Sequence, residues 1–252
     1  MKQSLRHQQI IDLFTQTGYI STEELVNVFN VTSQTIRRDL NELAEQGLIR
    51  RHHGGAASPS SIENSDYQER KYFFSKEKQA IAQRVASLIK NGSSLFIDIG
   101  STPEAVAHAL LQHQNLRIVT NNLNAAHILM EKSDFDITIA GGNLRDDGGI
   151  IGEATVAFLS QFRLDYGILG ISAIDEDGTL LDYDFHEVQV KRVLINASRK
   201  VFLPVDHSKF NRHAIVRLGS IGDLDVLLTD SQPSEKITQL LQQNNVQLEI
   251  CN

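Results

Sequence analysis

Seven short apolar runs alternate with helical patterns over most of the chain, and this alternation constrains the fold more than any other feature. The runs are SLFIDI (94–99), LRIVTN (116–121), DITIAGG (136–142), YGILGIS (166–172), KVFLPVD (200–206), DVLLTD (225–230) and VQLEI (246–250). Most are separated by amphipathic patterns such as PEAVAHALLQ and EVQVKRVLINAS. Near-continuous apolar strands that alternate with helices are typical of a sheet covered on both faces. The sequence therefore predicts an α/β domain with a mainly parallel sheet.

A Ser-rich stretch without apolar periodicity, AASPSSIENSD at residues 56–66, interrupts the pattern and reads as a linker. The chain has 252 residues, which is enough for one small and one medium domain, each with its own core. We therefore predict an N-terminal domain over 1–57, a linker over 58–75 and an α/β domain over 76–252.

The N-terminal segment begins with two short helical patterns. The first, RHQQIIDLFTQTG, is expected to stop at Gly18. The second begins with Ser21 and Glu24 at the spacing of a capping box, in which each side chain bonds a free backbone N–H at the helix start. Asn30 follows it and tolerates the left-handed conformation of a tight turn. Three apolar side chains of the second helix are expected to face inward: Leu25, Val28 and Phe29.

A third helical pattern, TSQTIRRDLNELAEQG, has two contrasting faces and is expected to end at Gly47. At about 100° per residue, a narrow core stripe is formed by Ile36, Leu40 and Leu43. The opposite face carries side chains that can read base edges, namely Gln34, Arg38 and Asn41. Flanking positions suited to phosphate contacts are Ser33, Thr35 and Arg37. The pattern predicts a helix-turn-helix, although a plain three-helix bundle with a solvated polar face would look the same.

The distribution of charge favours the DNA-binding alternative. The whole chain has a formal charge of −7, but residues 1–57 hold six Lys and Arg against six Asp and Glu. Four of the six cations lie in the third helix and in LIRRHHGGA after it, which we interpret as a short strand with a glycine turn: Arg37, Arg38, Arg50 and Arg51. Positive charge is thus focused where a helix and a wing would meet the DNA backbone.

The α/β half contains one segment, LFIDIGSTPEAVAHAL, that suggests an anion site. A strand ends at Asp98, a turn contains Gly100, Ser101 and Thr102, and a helix is expected to begin at Pro103. Free N–H groups at a helix start, together with two hydroxyls, suit a phosphate or carboxylate. The alternative is an ordinary strand-to-helix connection with Thr102 as the capping residue.

Polar and glycine residues close several other predicted strands. They are Thr120, Asn121, Asn122, Gly141, Gly142, Arg145 beyond them, Gly170, Ser172, Asp206, His207, Ser208 and Lys209. Ligands of open α/β sheets bind at the carboxyl ends of the strands, so these residues predict one shared pocket. Within it, Lys209 is a candidate to neutralise a phosphate, and Asp98 or Asp206 to hold hydroxyl groups.

The run STEELVNVFNVTSQTIRRDLNELAEQGLIRRHHGGA resembles the DeoR family of bacterial repressors. The family's core pattern is matched at Ser33, Ile36, Arg37, Arg38, Asp39, Leu40 and Leu43. The resemblance implies that the third helix enters the major groove through Ser33, Gln34, Thr35, Arg37 and Arg38. It also implies a wing that carries Arg50, Arg51 and His52 to the phosphates.

The second half resembles the same family in DIGSTP, TNN, AGG, GIIGE, HEV with Lys191, and DHSKF. This implies a sensor domain similar to ribose-5-phosphate isomerase and the coenzyme A transferases. Finer matches within the family imply a repressor of glycerol and glycerol-3-phosphate metabolism genes, induced by glycerol-3-phosphate and assembled as a homotetramer or homodimer. Two departures are Ser101, where threonine is commoner, and Asn211, where glycine commonly follows Ser-Lys-Phe.

Other functions remain open on sequence alone. A sugar-phosphate isomerase-like enzyme with a DNA-binding head would use the acids and lysines Asp98, Glu187, Lys191, Asp206 and Lys209. A repressor that responds to a different phosphorylated sugar is a further alternative. A dinucleotide enzyme is disfavoured because DIGSTP lacks the G-x-G-x-x-G spacing. We expect no cofactor and no metal site.

The remaining expectations concern location. The start MKQSLRHQQ has no apolar stretch, no run approaches about 18 apolar residues, and the single cysteine is Cys251. These features predict a cytoplasmic protein that does not bind a membrane. Together with the patterns above, we expect its partners to be operator DNA and a small phosphorylated metabolite.

Overall fold

The computed structural model describes residues 3–17, 19–46, 48–52, 55–57, 67, 70 and 74–251. The chain divides into two compact units, Met1–Arg70 and Lys71–Asn252, which we call the head and the C-terminal unit. The predicted linker lies mostly outside the described residues, as do the predicted helix stops at Gly18 and Gly47.

Within its described residues up to Ala57, the head contains three helices and a small antiparallel sheet. Its elements are α1 (Gln3–Thr17), β1 (Tyr19–Ser21), α2 (Thr22–Phe29), α3 (Ser33–Glu45), β2 (Arg50–His52) and β3 (Gly55–Ala57). The strand order is β1-β3-β2, and β2 pairs with β3 from Arg50 opposite Ala57 to His52 opposite Gly55. Three helices followed by a hairpin are the arrangement of a winged helix-turn-helix.

Local signals set the limits of α2 as predicted. The Ser21 hydroxyl accepts from the Glu24 N–H while the Glu24 carboxylate accepts from the Ser21 N–H, which confirms the capping box. Asn30 ends the helix in the left-handed conformation, with φ of 50°. The prediction for Val28 was wrong: its side chain is 60% exposed. It lies at the margin of the helix face, and Thr22 instead completes the buried face with Leu25 and Phe29.

The core stripe of α3 is confirmed. Ile36, Leu40 and Leu43 are buried, and they pack in one apolar cluster with Ile10 of α1 and Leu25 of α2. Burial of each such aliphatic side chain contributes roughly 1.5–3 kcal/mol. This packing fixes which face of α3 is turned to solvent.

The C-terminal unit alternates strands and helices. Its elements are α4 (Ser75–Leu88), β4 (Ser94–Ile97), α5 (Ser101–Leu110), β5 (Arg117–Thr120), α6 (Leu123–Leu129), β6 (Asp136–Ile139), β7 (Asn143–Leu144), β8 (Ile150–Ile151), α7 (Glu153–Leu159), β9 (Leu164–Ile168), β10 (Ala173–Ile174), β11 (Thr179–Asp182), α8 (Phe185–Ala197), β12 (Ser198–Pro204), β13 (Val216–Ser220), β14 (Val226–Thr229), α9 (Glu235–Gln243) and β15 (Gln247–Ile250). Short 3-10 turns span His207–Lys209 and Ile221–Asp223.

Seven strands form one fully parallel sheet in the order β15-β14-β12-β9-β4-β5-β6. Five of the seven predicted apolar runs contain one of these strands, and the runs at 166–172 and 200–206 overlap β9 and β12, each of which begins two residues earlier. The predicted fold class is therefore confirmed. Two small antiparallel sheets, β10-β11-β13 and β7-β8, were not predicted. Their strands have only two to five residues, which is too few to show a two-residue periodicity.

Helices cover both faces of the parallel sheet. Leu95 and Ile97 of β4 pack in a cluster with Val106 of α5, whereas Phe96 packs in another cluster with Leu194 of α8. Strand side chains alternate between the two faces, so neighbouring residues enter different cores. We call the face of Phe96 the α8 face.

The strand order creates one crevice. From β4 the chain moves outward to β5 and β6, then returns to the other side of β4 as β9. Connections therefore leave the carboxyl ends of β4 and β9 in opposite directions, and ligands of such sheets bind at this switch point. Among the helices described, none is long and apolar enough to span a membrane.

Candidate functional sites

The solvent face of α3 presents the residues predicted to contact DNA. Five of them are exposed, namely Ser33, Gln34, Arg37, Arg38 and Asn41. Thr35 is half-buried, and its backbone N–H and hydroxyl both bond the hydroxyl of the capping residue Thr32. The face therefore combines guanidinium, amide and hydroxyl groups that can read bases or hold phosphates.

Arg38 is held by an acid on its own helix. Its Nε lies 3.0 Å from Glu42 Oε1, one helical turn away, while its side chain remains 76% exposed. Gln3 of α1 donates to the other oxygen of Glu42 at 2.7 Å. An exposed pair of this kind contributes little to stability, so a DNA phosphate or base can replace Glu42 at small cost.

Asp39, beside these exposed residues, is buried and has a structural role that the sequence did not reveal. Its carboxylate accepts from Arg6 Nε at 2.5 Å and from the second guanidinium nitrogen at 3.0 Å. His7 Nε2 lies 3.1 Å from the same carboxylate. Burial raises the pKa of Asp39, but the bonds from Arg6 and His7 outweigh it and hold the pKa below its ordinary value. Asp39 thus ties α3 to α1.

The predicted wing residues lie on β2. Arg50, Arg51 and His52 form this strand, which pairs with β3. Their side chains lie outside what the structure describes. Their contacts with phosphates therefore remain a prediction.

In the C-terminal unit, the turn after β4 leads directly into α5. The helix begins at Ser101 with Gly100 as its capping residue, two residues before the predicted start at Pro103. The earlier start is possible because the first four N–H groups of a helix have no internal partner, so Pro103 interrupts no bond. Gly100 has φ of 137°, which strongly favours glycine.

The first turn of α5 matches the predicted anion site only in part. Ser101 is half-exposed, whereas Thr102 is buried. The backbone N–H groups of this turn and the Ser101 hydroxyl are therefore the groups that are suited to an anion. The site lies at the switch point, next to the carboxyl end of β9.

Three consecutive buried polar residues, Thr120, Asn121 and Asn122, lie at the carboxyl end of β5. The Thr120 hydroxyl donates to the Ile97 carbonyl at 2.6 Å, and Asn122 caps α6 by accepting from the N–H groups of Asn124 and Ala125. The Asn121 amide nitrogen donates to the Ile150 carbonyl at 3.1 Å. The side chains of Thr120 and Asn122 therefore make structural hydrogen bonds at the carboxyl ends of β4 and β5.

Asp98 lies in a buried cluster of charges. Lys191 of α8 forms ion pairs with Asp182, with Glu187 at 2.6 Å and with Asp98 at 3.8 Å, and the Gly170 N–H donates to Asp98 at 3.0 Å. Burial raises the pKa of Asp98 to about 7, with Lys191 lowering and Glu187 raising it. The same cluster raises the pKa of Lys191 despite its burial. Lys191 therefore stays charged and holds the acids in place.

Arg145 joins this cluster from the β7–β8 hairpin. Its guanidinium pairs with Asp147 at 3.1 Å, Asp184 at 2.6 Å and Glu187 at 2.9 Å. The neighbouring Gly142 has no room for a side chain, since a Cβ would lie 2.1 Å from the Thr155 hydroxyl. In this arrangement Arg145 positions Glu187, and a direct role in effector binding remains a prediction. Gly141 contributes its carbonyl to Thr155 and is exposed.

Asp206 and Lys209 lie after β12. Asp206 is buried and faces Lys78 of α4, whose Nζ is 3.9 Å away. Burial raises the pKa of Asp206, but Lys209 and Lys78 outweigh it and keep the pKa low. Asp206 is therefore a charged acceptor at the same edge of the sheet as Asp98.

Several residues of these clusters escaped sequence analysis. They are Lys78, Asp147, Asp182 and Asp184. A lysine in an amphipathic helix is normally exposed, so nothing local marked Lys78. The i,i+4 spacing of Glu187 and Lys191 was the one visible signal for this cluster. Within the described part of the chain, no group of three or more His, Cys, Asp or Glu is placed to hold a metal ion.

Comparison with protein families gives two matches that together span most of the chain. The DeoR-like helix-turn-helix domain matches residues 6–62, and the DeoR C terminal sensor domain matches residues 74–231.

Individual relatives align over all or nearly all of the chain. The chain is 68% identical over 252 residues to the glycerol-3-phosphate regulon repressor of Haemophilus influenzae, covering all of this chain and 98% of that protein. It is 62% identical to the protein of the same name from Escherichia coli, with full coverage of both. The HTH-type transcriptional repressor CsqR of Escherichia coli is 41% identical, covering 96% of this chain and 94% of its own.

Solved structures are similar at a lower level. A D-ribose-5-phosphate isomerase in complex with phospho-erythronic acid has 15% identity and a TM-score of 0.41, over 54% of each chain. A 4-hydroxybutyrate CoA-transferase from Porphyromonas gingivalis has 16% identity and a TM-score of 0.43, over 68% of this chain and 50% of its own. Similarity at this level does not extend to function.

Proposed function

The chain belongs to the DeoR family, and from this membership we propose that it represses genes of glycerol and glycerol-3-phosphate metabolism and leaves its operator when glycerol-3-phosphate binds. It is a DNA-binding transcriptional repressor rather than an enzyme, as its relatives over the full length are. The isomerase alternative raised by the sequence is therefore set aside. The observation that carries the choice of regulon and effector is the 68% identity to a repressor of that regulon.

The geometry of the head supports the DNA-binding half of the proposal. The exposed face of α3 carries Gln34, Arg38 and Asn41, and its opposite face is fixed in the core by Ile36 and Leu40. A helix held in this way inserts its polar face into the major groove without rearranging its own domain. The phosphates are then contacted by Ser33, Thr35 and Arg37. The wing residues Arg50, Arg51 and His52 also contact phosphates.

The C-terminal unit supports the effector half. We assign the phosphate to the turn formed by Gly100, Ser101 and Thr102, where the N–H groups and dipole of α5 favour an anion. Lys209 adds a charge-assisted contact. Asp98, Asn121, Asp206 and Gly170 surround the remaining part of a small ligand at the switch point. No cofactor takes part, because the effector acts by binding alone.

Paired heads would extend the short footprint of a single helix. Helix-turn-helix proteins bind two-fold operators as dimers, so we propose a homodimer or homotetramer joined through the C-terminal unit, in the cytoplasm. Sedimentation of the full chain at micromolar concentration measures this, and a monomer would contradict it.

The experiment for the proposed function measures release from DNA. A labelled promoter fragment from a glycerol-3-phosphate metabolism gene is bound by the full chain, and fluorescence anisotropy follows the titration of glycerol-3-phosphate. We expect release with glycerol-3-phosphate but not with glycerol or inorganic phosphate at equal concentration. Release by ribose-5-phosphate alone would instead assign a different phosphorylated sugar.

A further inference from the structure

We propose that the effector site, given the function proposed above, selects phosphate esters that carry two free hydroxyl groups, held by a pair of buried oxygen acceptors. The acceptors are Oδ1 of Asp98 and Oδ1 of Asn121. Both are buried side-chain atoms without a hydrogen-bond partner among the residues that the structure describes.

The two residues are neighbours across the sheet. Ile97, the last residue of β4, pairs with Thr120, the last residue of β5. Asp98 and Asn121 are the residues that directly follow these two strands. Because side chains alternate, Asp98 points to the side of Phe96 and Asn121 to the side of Val119, and both lie on the α8 face. Parallel strands are roughly 4.8 Å apart, so one small molecule can reach both oxygens.

Asp98 presents one oxygen and has the other occupied. Oδ2 accepts from the Gly170 N–H at 3.0 Å and lies 3.8 Å from Lys191 Nζ. These two contacts, together with the Ile99 N–H that also faces the carboxylate, fix the orientation of this fully buried group. Because Oδ2 is held by these contacts, Oδ1 has a fixed position from which it can accept a hydrogen bond from a ligand.

Asn121 is oriented in a similar way. Its Nδ2 donates to the Ile150 carbonyl, and its backbone carbonyl accepts from the Ile150 N–H at 2.7 Å. An amide nitrogen bound to a carbonyl fixes which end of the amide is the oxygen. The side chain therefore also presents an acceptor, and when Asp98 is ionised the pair contains no donor.

This arrangement determines the chemistry of the ligand. Buried acceptors need donors, and an unmatched one costs the full desolvation of that group. Two hydroxyls supply the donors, whereas a ketone or carboxylate would place further acceptors against them. Ser101 lies three residues after Asp98, so the phosphate at the α5 turn and the hydroxyls at the strand ends fit one short polyol phosphate.

The first test uses the full chain and calorimetric titration with a set of three-carbon phosphates. Glycerol-3-phosphate carries both hydroxyls, 3-hydroxypropyl phosphate lacks the central one, and 2-hydroxypropyl phosphate lacks the terminal one. Dihydroxyacetone phosphate replaces the central hydroxyl by a ketone. We expect each of the three analogues to bind about 10- to 100-fold more weakly than glycerol-3-phosphate, the effect of losing a hydrogen bond to a charged or buried acceptor.

The second test uses variants of the two acceptors. Asp98→Asn and Asn121→Ala should each weaken the binding of glycerol-3-phosphate by at least about tenfold. They should also reduce the difference in affinity between glycerol-3-phosphate and the two deoxy analogues. The control is Asp165→Asn, the same change at the amino end of the sheet, where Asp165 bonds Ser94. It should leave the ranking unchanged. Circular dichroism shows whether each variant folds. The ligand series is measured on the unaltered protein, so its result stands even if a variant does not fold.

The outcomes separate this inference from the proposed function. Equal binding of all four phosphates would overturn the inference, since water alone would then satisfy the two oxygens, while the proposed effector would stand. Failure of every phosphate ester to bind would overturn both. Weaker binding of the analogues, with the difference reduced in Asp98→Asn and Asn121→Ala, supports the inference.

Discussion

Arg6 of α1 and Asp39 of α3 form a two-point salt bridge inside the head, with nitrogen–oxygen distances of 2.5 and 3.0 Å. Both side chains are buried, and Asp39 lies on the helix whose neighbouring residues Arg37 and Arg38 are exposed. The bridge therefore sets how the DNA-facing helix is held against the first helix.

We expect Asp39→Ala to destabilise the head by about 3–5 kcal/mol, because it leaves the Arg6 charge buried without its partner. Hydrogen exchange of the α1 and α3 amides in the full chain measures the free energy of opening. Glu45→Ala, at an exposed acid on the same helix, should change this free energy of opening by no more than about 0.5 kcal/mol.

The stabilisation by Asp39 should also depend on pH. Since the pKa of Asp39 is lower in the folded protein, its stabilisation is present above about pH 4 and is lost as the pH falls through the pKa of the folded state. Equal exchange rates in Asp39→Ala and the parent protein would contradict this role.

Arg38 should contribute to operator affinity and not to folding. Arg38→Ala removes an exposed guanidinium that pairs with Glu42, and we expect specific binding to weaken by about 1–3 kcal/mol if the guanidinium contacts a base. Gel-shift titration measures the loss. Arg199→Ala, an exposed arginine of the C-terminal unit paired with Asp165, is the matched control. An Arg38→Ala protein with parental operator affinity would remove Arg38 from the interface.

The wing arginines should act through phosphates. Replacing Arg50 or Arg51 by Ala is expected to weaken binding to all DNA sequences alike and to reduce the salt slope by roughly one unit each. Affinity for operator and for unrelated DNA is measured over a range of salt concentrations. If the loss is confined to the operator, the wing reads bases instead.

A carboxylate at the start of α5 should block induction without unfolding the protein. Ser101→Asp places a negative charge at the first helical position, where it favours the helix by about 0.3–1 kcal/mol while repelling a phosphate. We expect operator binding to persist and glycerol-3-phosphate to lose its effect. Ser101→Asn, neutral and of the same shape as Asp, is the control: it loses the Ser101 hydroxyl but keeps the backbone N–H groups, so it should remain inducible at higher glycerol-3-phosphate concentrations. Ser101 is preferred to Thr102 because Thr102 is buried, and a carboxylate there would also carry a desolvation cost. Full induction of Ser101→Asp would move the anion site elsewhere.

Effector affinity should rise with pH through about 7, the pKa of Asp98. A ligand hydroxyl that donates to Asp98 favours the charged carboxylate, so binding lowers this pKa and releases a proton. The charged groups that face Asp98 are Lys191, Glu187 and Asp182, and all belong to the same ion-pair cluster.

Calorimetry between pH 6 and 8 tests this dependence. The phosphate itself ionises with a pKa of about 6, and that contribution is common to all variants. Asn121→Ala should keep the slope of the parent protein, whereas Asp98→Asn should retain only the part due to phosphate. The same slope in Asp98→Asn as in the parent would show that Asp98 does not meet the ligand.

By itself, the sequence determined the elements and the class of fold. The capping box of Ser21 and Glu24, the buried stripe of Ile36, Leu40 and Leu43, and all seven strands of the parallel sheet were predictable because each depends on residues within one or two turns or one strand. The exposed face of α3 followed from the same periodicity. Local patterns of this kind are written into the chain order.

Only the tertiary structure decided which polar groups meet. Arg6 and Asp39 are 33 residues apart, and Lys191 reaches Asp98 across more than half of the C-terminal unit. Asp98 and Asn121 become neighbours because β4 pairs with β5 in one register. No local pattern encodes these meetings, since they depend on strand order and on which helix covers which face. Burial then gives them their effect: the charges and the two open acceptors matter because packing has removed the water that would otherwise satisfy them.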